Sequence, residues 1–476
     1  MHYPINMPNV KASGVIKVFS PYDGKLVGSV ECIDAKGIET ALKTIAEVFR
    51  DRNNWLLVHE RIAILERVAL AIQANSEQLI AIAIAEGGKP YLDTQIELLR
   101  AIDSIKICIE CLRSERGTEI PMHLNPASMN RLAFTHREPI GPVVAISAFN
   151  HPLNLIIHQV GPAIAAGCPI IIKPARETPL SAFALVELFH EAGLPLAWCQ
   201  PVMIEDNQIA EQLLTDKRVA FFSFIGSADV GWMLRSKLAR GTRCSLEHGG
   251  VAPVIIAEDA DLDKILPLMA KGGFYHAGQV CVSVQRIYAH RSIARKVADG
   301  LGILAEHMKI GNPADIDTEI GPLIRHREVD RVESWVNEAI AENAKLITGG
   351  KRLSATLYQP TVLFNPSVTS KVSQQELFGP VICVYEFDHL DEAIDQANAL
   401  PYAFQAAIAT QNIDTALYAF KRLAASTVMI NDHTAFRVDW MPFAGLRESG
   451  YGTGGIPYTF RDMHIEKMAV IHSAAL

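Results

Sequence analysis

The sequence lacks any long apolar run. Its most hydrophobic stretches, such as Gly161 to Ile172, are interrupted by glycine and proline and fall well short of the roughly 20 residues that a membrane-crossing helix requires. Clusters of positive charge are also missing. Lysine and arginine number 44 against 52 aspartates and glutamates, a formal net charge of −8, and they are scattered, so neither nucleic acid nor an anionic membrane surface is an expected partner. The opening residues, Met1 to Val10, contain no charged segment followed by an apolar one, which argues against a secretion signal and makes the cytoplasm the expected compartment. Cysteine is dispersed. Of the eight, only Cys108 and Cys111 fall close together, in a helical pattern and without further Cys or His at metal-ligand spacing. A buried structural pair is expected there rather than a metal site, a redox motif or a disulfide.

What is present is the make-up of an enzyme of two or three domains, with 476 residues, 49% hydrophobic and 20% charged. After a leading extended segment (Ile16 to Ser29), apolar residues recur at helical spacing over Ala35 to Phe49, Val58 to Glu86 and Tyr91 to Ser114. From 117 to 137 the pattern is one of short extended pieces. The chain then alternates: strand Gly141 to Ser147, helix to Ala166, strand Pro169 to Lys173, helix Leu180 to Ala192, strand Trp198 to Ile204, helix Asp206 to Thr215, strand Val219 to Ile225 and helix Val230 to Arg240. This alternation predicts an α/β fold with a parallel sheet and right-handed crossovers, in which ligands bind beyond the strands' carboxyl ends. Asn150, Lys173 and Gly226-Ser227 are therefore expected to line one crevice, whose natural occupant is a nucleotide cofactor. A separate stretch, Gly273 to Arg286, sets the Cys281 thiol among small and apolar residues after Gly278-Gln279, where a substrate can meet it.

Several of these residues belong to motifs that run in order through nearly the whole chain. They are Arg137 to Val144, Phe149-Asn150-His151-Pro152, Lys173-Pro174-Ala175, Phe224 to Ser227 with Gly231, Leu246 to Gly250, Gly278 to Cys281, Glu376 to Pro380 and Pro442 to Gly445. Together they resemble the NAD(P)-dependent aldehyde dehydrogenase superfamily. The resemblance implies a Rossmann-type cofactor domain, an α/β catalytic domain and a small β oligomerisation element. It casts Cys281 as the nucleophile that forms a thiohemiacetal and then a thioester, Asn150 as the oxyanion donor and Glu247 as the base that activates water for hydrolysis. Read alone, Asn150 would also serve as a helix cap, Glu247 as half of a surface ion pair and Cys281 as an inert buried thiol. For the cofactor the resemblance implies Phe149, Lys173, Gly226, Ser227, Val230, Gly249, Glu376 and Phe378, with pyrophosphate at the helix after Gly226-Ser227 and ribose at Glu376.

Two departures stand out. Arg176 occupies a place where NAD-preferring relatives often carry Glu, which leans the expectation between NAD and NADP toward use of NADP. His248 replaces an apolar residue beside the base and is expected to alter its orientation. At the substrate end, the resemblance places Arg100, His158 and Arg437, a set suited to a short aldehyde bearing a carboxylate, phosphonate, sulfonate or hydroxyls. The alternative is that Arg100 pairs with Glu97 or Asp103 and Arg437 with Asp439. The implied domains are 1–116 with 138–246 for the cofactor, 247–456 for catalysis, and 117–137 with 457–476 for assembly into a homodimer or homotetramer. A catalytically silent relative, or an esterase working at the same thiol, is the competing reading.

Overall fold

The computed structural model describes residues 1–476, with every side chain except those of residues 207 and 208. The predicted alternation builds a six-stranded sheet in the order Gly450–Tyr451, Arg243–Glu247, Phe221–Ile225, Val143–Ile146, Ile170–Lys173, Cys199–Pro201. All neighbours are parallel except Gly450–Tyr451. The strands Val143–Ile146 and Ile170–Lys173 are continuous apolar runs because helices cover both faces of the sheet, so no polar alternation is called for. Strand order reverses between Val143–Ile146 and Phe221–Ile225, and the crevice at such a switch point is where α/β sheets hold ligands.

A second sheet has seven strands, in the order Lys345–Thr348, Thr361–Phe364, Val381–Phe387, Val284–His290, Ala252–Ile256, Gln405–Ala409, Thr427–Ile430. It is parallel except at its first edge. The apolar core around it is separate from the cores on the two faces of the first sheet. A third, antiparallel sheet joins Glu119–Ile120, Arg131–Pro139 and His464–His472, so the extended pieces near 117–137 and the carboxyl-terminal strand lie side by side. Strand Arg131–Pro139 runs across the boundary expected at 137–138. Helix Ile456–Asp462 runs across the one at 456–457 and buries Ile456 and Phe460 in the first core. Among the described residues no single helix is long and apolar enough to cross a membrane.

Several elements differ from the sequence pattern. The leading segment is a hairpin, Gly14–Phe19 with Leu26–Cys32. The helix expected over 58–86 is two, Val58–Ala74 and Ser76–Gly87, bent by 72°. At the break, Asn75 Nδ2 and Ser76 Oγ donate to the carbonyls of Ala71 and Gln73, drawing the backbone into a turn that apolar periodicity does not register. The segment 206–215 is likewise two short helices, Asn207–Ala210 and Gln212–Thr215. The strand near 198–204 shrinks to Cys199–Pro201, an edge strand ending in a proline that cannot extend the ladder. Helix Ala228–Ser236 begins earlier than the pattern suggests, which makes Ser227 its N-cap.

Candidate active site

A cleft of about 710 Å³ is walled on one side by the ends of the six-stranded sheet and on the other by the Cys281 loop and the segments around Glu376 and Arg437. Cys281 is half-buried in it, packed with Val280, Val282, Phe404 and Phe443. The loop that presents it is held rigidly. Gln279, buried, accepts from Ile324 N at 2.9 Å and donates to the carbonyls of Pro322 and His276. His276, Ala277 and Gly278 are all left-handed (φ 48, 53 and 71). A Cβ at Gly278 would lie 2.1 Å from Gly379 O, so only glycine fits there.

Asn150 is not a helix cap. The helix it precedes starts at Asn154 and is capped by Glu97, whose Oε1 accepts from Leu153 N (2.7 Å) and Asn154 N (2.9 Å). Asn150 Nδ2 instead donates to Gln279 O at 2.9 Å, tying its amide to the thiol's loop and leaving its second N–H for another acceptor. Glu247 ends strand Arg243–Glu247 and also lines the cleft. Its neighbour His248, also on the cleft wall, is held toward the Gly226-Ser227 turn: Nδ1 donates to Gly226 O at 2.9 Å while the ring packs on Phe224, Trp232 and Gly231. The histidine thus fastens the base's strand to the Gly226-Ser227 turn.

The electrostatics follow burial. The Cys281 thiol is pushed up to about 12 by burial, opposed chiefly by the Arg437 cation. Burial also raises Glu247, again against Arg437, and lifts Glu376 to about 8. Each of these groups is therefore biased toward its uncharged form.

The cofactor residues implied by the resemblance divide into two groups. Gly226, Ser227 and Val230 line the cleft, as do Phe149, Gly249, Glu376 and Phe378. Phe149 meets Phe378 edge to face at 5.9 Å. Lys173 and Arg176 are not part of this wall, which is formed there by Ala175 and Glu177. Lys173 is half-buried, and burial lowers its ammonium pKa against Glu177. Arg176 is exposed and makes a 3.4 Å contact to Glu205 O. The wall fits a dinucleotide: helix Ala228–Ser236 opens into it without a side-chain cap, and Glu376 Oε1 is buried without a partner.

At the substrate end, Arg100 and Arg437 reach the cleft and His158, only 3% exposed, does not. Neither expected local pairing forms. Glu97 takes buried Lys89, while Arg100 forks onto Asp439 at 2.7 and 3.0 Å, leaving Arg437 stacked over Phe443 at 3.6 Å. Asp439 also accepts from His158 Nε2 at 2.7 Å and Asn154 Nδ2 at 3.1 Å. Four residues of the site are given no role by the sequence pattern: Asp439, Tyr275 and His151, the last two lining the cleft with hydroxyl and Nε2 3.2 Å apart, and Glu177, which accepts from Arg325 across it at 2.9 Å. The spacing Arg437-Val438-Asp439 was the available signal, and it pointed to the wrong pair.

The sequence profile of the aldehyde dehydrogenase family matches residues 9–468. A 3-sulfolactaldehyde dehydrogenase of Priestia aryabhattai is 39% identical over 430 residues, which is 90% of each chain. The crystal structure of aldehyde dehydrogenase 21 from Physcomitrella patens in complex with its reaction product succinate superposes with a TM-score of 0.94 at 32% identity, covering 99% of this chain and 98% of that one. Glyceraldehyde-3-phosphate dehydrogenase GapN from Methanocaldococcus jannaschii, complexed with NADP, gives 0.91 at 34% identity over 96% and 99%. With the fold, the cleft and these relatives in agreement, the chain belongs to the aldehyde dehydrogenase family and is an NAD(P)-dependent aldehyde dehydrogenase.

Proposed function

We propose that the enzyme oxidises a short aldehyde carrying an anionic group to the corresponding carboxylic acid, with Cys281 as nucleophile, Asn150 as oxyanion donor and Glu247 as base. The observation that carries this reading is one cleft holding that thiol, amide and carboxylate together with an arginine, Arg437, that no carboxylate pairs among the described residues. The relatives that act on sulfolactaldehyde or hold succinate support the anionic substrate.

An aldehyde carbon does not readily release its hydrogen as hydride until it becomes tetrahedral. In enzyme whose Glu247 is ionised, the form that Arg437 favours against burial, the Cys281 proton passes to Glu247, the thiolate adds to the carbonyl carbon, and the oxygen that becomes negative accepts the free N–H of Asn150. Such a donor is typically worth about 10²–10³ in rate. The adduct re-forms its carbonyl as its hydrogen departs with the electron pair, leaving a thioester on Cys281. When bound, the nicotinamide dinucleotide accepts that hydride. Glu247 gives the first proton up to solvent and, ionised again, takes one from water; the hydroxide adds to the thioester, and the carbon–sulfur bond breaks, the departing thiolate recovering the proton from Glu247 as the acid is released.

Glu376 holds the nicotinamide ribose, the Gly226-Ser227 turn the pyrophosphate, and Lys173 the adenosine ribose. Arg176, exposed beside Lys173 and without a carboxylate partner among the described residues, favours NADP by pairing with a 2′-phosphate. Apart from the strand Arg131–Pro139 and the helix Ile456–Asp462, which cross these bounds, residues 1–116 with 138–246 form the cofactor domain and 247–456 the catalytic domain. The sheet of 117–137 and 457–476 pairs with a second copy, since its last strand exposes Met468, Val470 and Ile471. The test is formation of reduced cofactor with a panel of short aldehydes. The expected result is higher kcat/KM for carboxylate- or sulfonate-bearing members and no turnover by Cys281→Ala; residual dehydrogenation in that variant would refute the covalent route.

A further inference from the structure

Asp439 lies behind the cleft wall, 2% exposed, and its carboxylate collects the Arg100 fork, the Asn154 amide and His158 Nε2. A carboxylate gripped by an arginine fork is ionised and can only accept. The His158 nitrogen that faces it at 2.7 Å must then be the N–H, and Nδ1 carries the ring's lone pair. That lone pair faces Arg437 Nη2, a donor, at 3.3 Å. Hydrogen-bond polarity thus runs one way through the ring, from Arg437 to His158 to Asp439. Burial and Arg437 together hold the His158 pKa at about 4, so the ring is neutral near pH 7.

The arrangement separates holding from neutralising. Arg100 cancels the charge of Asp439, and the neutral imidazole between Asp439 and Arg437 passes on orientation without charge. Arg437 is anchored at Nη2, stacked on Phe443 and unpaired at Nε, with its full positive charge beside Cys281 and Glu247. A carboxylate in place of His158 would have anchored the guanidinium equally well and quenched it.

We propose that Asp439 and His158 are positioning residues that fix Arg437 in the cleft with its charge uncompensated, and that this fixed cation is what selects aldehydes bearing an anionic group. The proposal rests on the anionic-aldehyde reading above, and its test keeps the two apart. Succinate semialdehyde and butanal serve as the charged and neutral probes, compared by the ratio of their kcat/KM values. In His158→Leu the ratio should fall about 10–100-fold, as expected for loss of a hydrogen bond to a charged group, with the loss falling on KM for succinate semialdehyde. His158→Gln can donate from its amide to Asp439 and accept from Arg437 through its carbonyl. It should recover the ratio to within about threefold of wild type. Asp439→Asn, made together with Arg100→Gln so that no second cation is freed at the cleft, keeps the shape but releases the tautomer; measured against Arg100→Gln alone it should move the ratio in the same direction as His158→Leu and serves if that variant does not fold. Equal losses on both aldehydes, or a His158→Gln no better than His158→Leu, would overturn the proposal. Arg437→Gln separates the outcomes. If it lowers the ratio while the His158 and Asp439 variants do not, the anion site stands and the relay falls; if it does not lower the ratio, both fall.

Discussion

A methyl group on Gly249 would sit 1.5 Å from Glu376 Oε1 and 2.2 Å from its carboxyl carbon, so Gly249→Ala must drive that carboxylate from its place. The intruded group is the end of a flexible side chain, which can swing away at a cost of about 0.5–1.5 kcal/mol in rotamer strain. The fold should therefore survive with at most that loss of stability. What goes is the proposed bond between the Glu376 carboxylate and the nicotinamide ribose. With Glu376 lifted to about 8 and mostly uncharged at pH 7, the bond is one between neutral groups, worth about 0.5–1.5 kcal/mol, which predicts a fall of about 2–13-fold in kcat/KM for the cofactor. The assay is cofactor-dependent turnover at saturating aldehyde, with thermal unfolding measured alongside, for Gly249→Ala, Glu376→Gln and the double variant. Because both single changes remove the same contact, the double variant should be no worse than the poorer single one. Losses that multiply in the double variant, or a Gly249→Ala enzyme with wild-type kcat/KM, would refute the reasoning.

Three further outcomes are expected. With the thiol at about 12, only about 10⁻⁵ of Cys281 is thiolate at pH 7. Inactivation of cofactor-free enzyme by iodoacetamide should thus quicken about tenfold per pH unit between 7 and 10, and a plateau beginning near 7 would show that Arg437 outweighs burial. Arg176→Glu should shift the ratio of kcat/KM for NADP over NAD toward NAD by about tenfold or more, the worth of a charge-assisted contact; an unchanged ratio removes Arg176 from the cofactor site. Met468→Asp with Val470→Asp should lower the particle mass seen by analytical ultracentrifugation without lowering Tm of the isolated subunit, whereas an unchanged mass places assembly elsewhere.

The parallel sheet and its switch point were legible in the sequence because runs such as Ile170-Ile171-Ile172 between helical patterns have one physical explanation, burial on both faces. The cleft residues from the same segments followed, since a strand's end fixes where the next turn must lie. What the sequence did not reveal are the contacts made by long polar side chains between distant elements. Arg100 reaches Asp439 over 339 positions and Glu97 caps a helix 56 positions on. Pairing rules based on helical spacing give each arginine a nearby acid and miss that the fold delivers a better one. The break at Asn75 escaped for a related reason: both of its helices bury apolar faces, so the periodicity continues through the bend.

These long-range pairs explain how one cleft accepts two anions, a dinucleotide and an acidic aldehyde. If Cys281, Glu247 and Glu376 were all ionised at rest, three negative charges would line the walls and repel both ligands. Burial biases all three toward their neutral forms, and Asp439, an acid behind the substrate end, is paired by Arg100 before it can face the cleft. The one cation shared by the thiol and the base is Arg437, which lowers both pKa values against burial. Seating an anion on Arg437 weakens that help, so the Cys281 proton is best removed by a neighbour inside the cleft and not lost to solvent. When Glu247 is ionised, proton transfer to it moves the charge without creating a second one, so the thiol and the carboxylate share one compartment with the cation that acts on both.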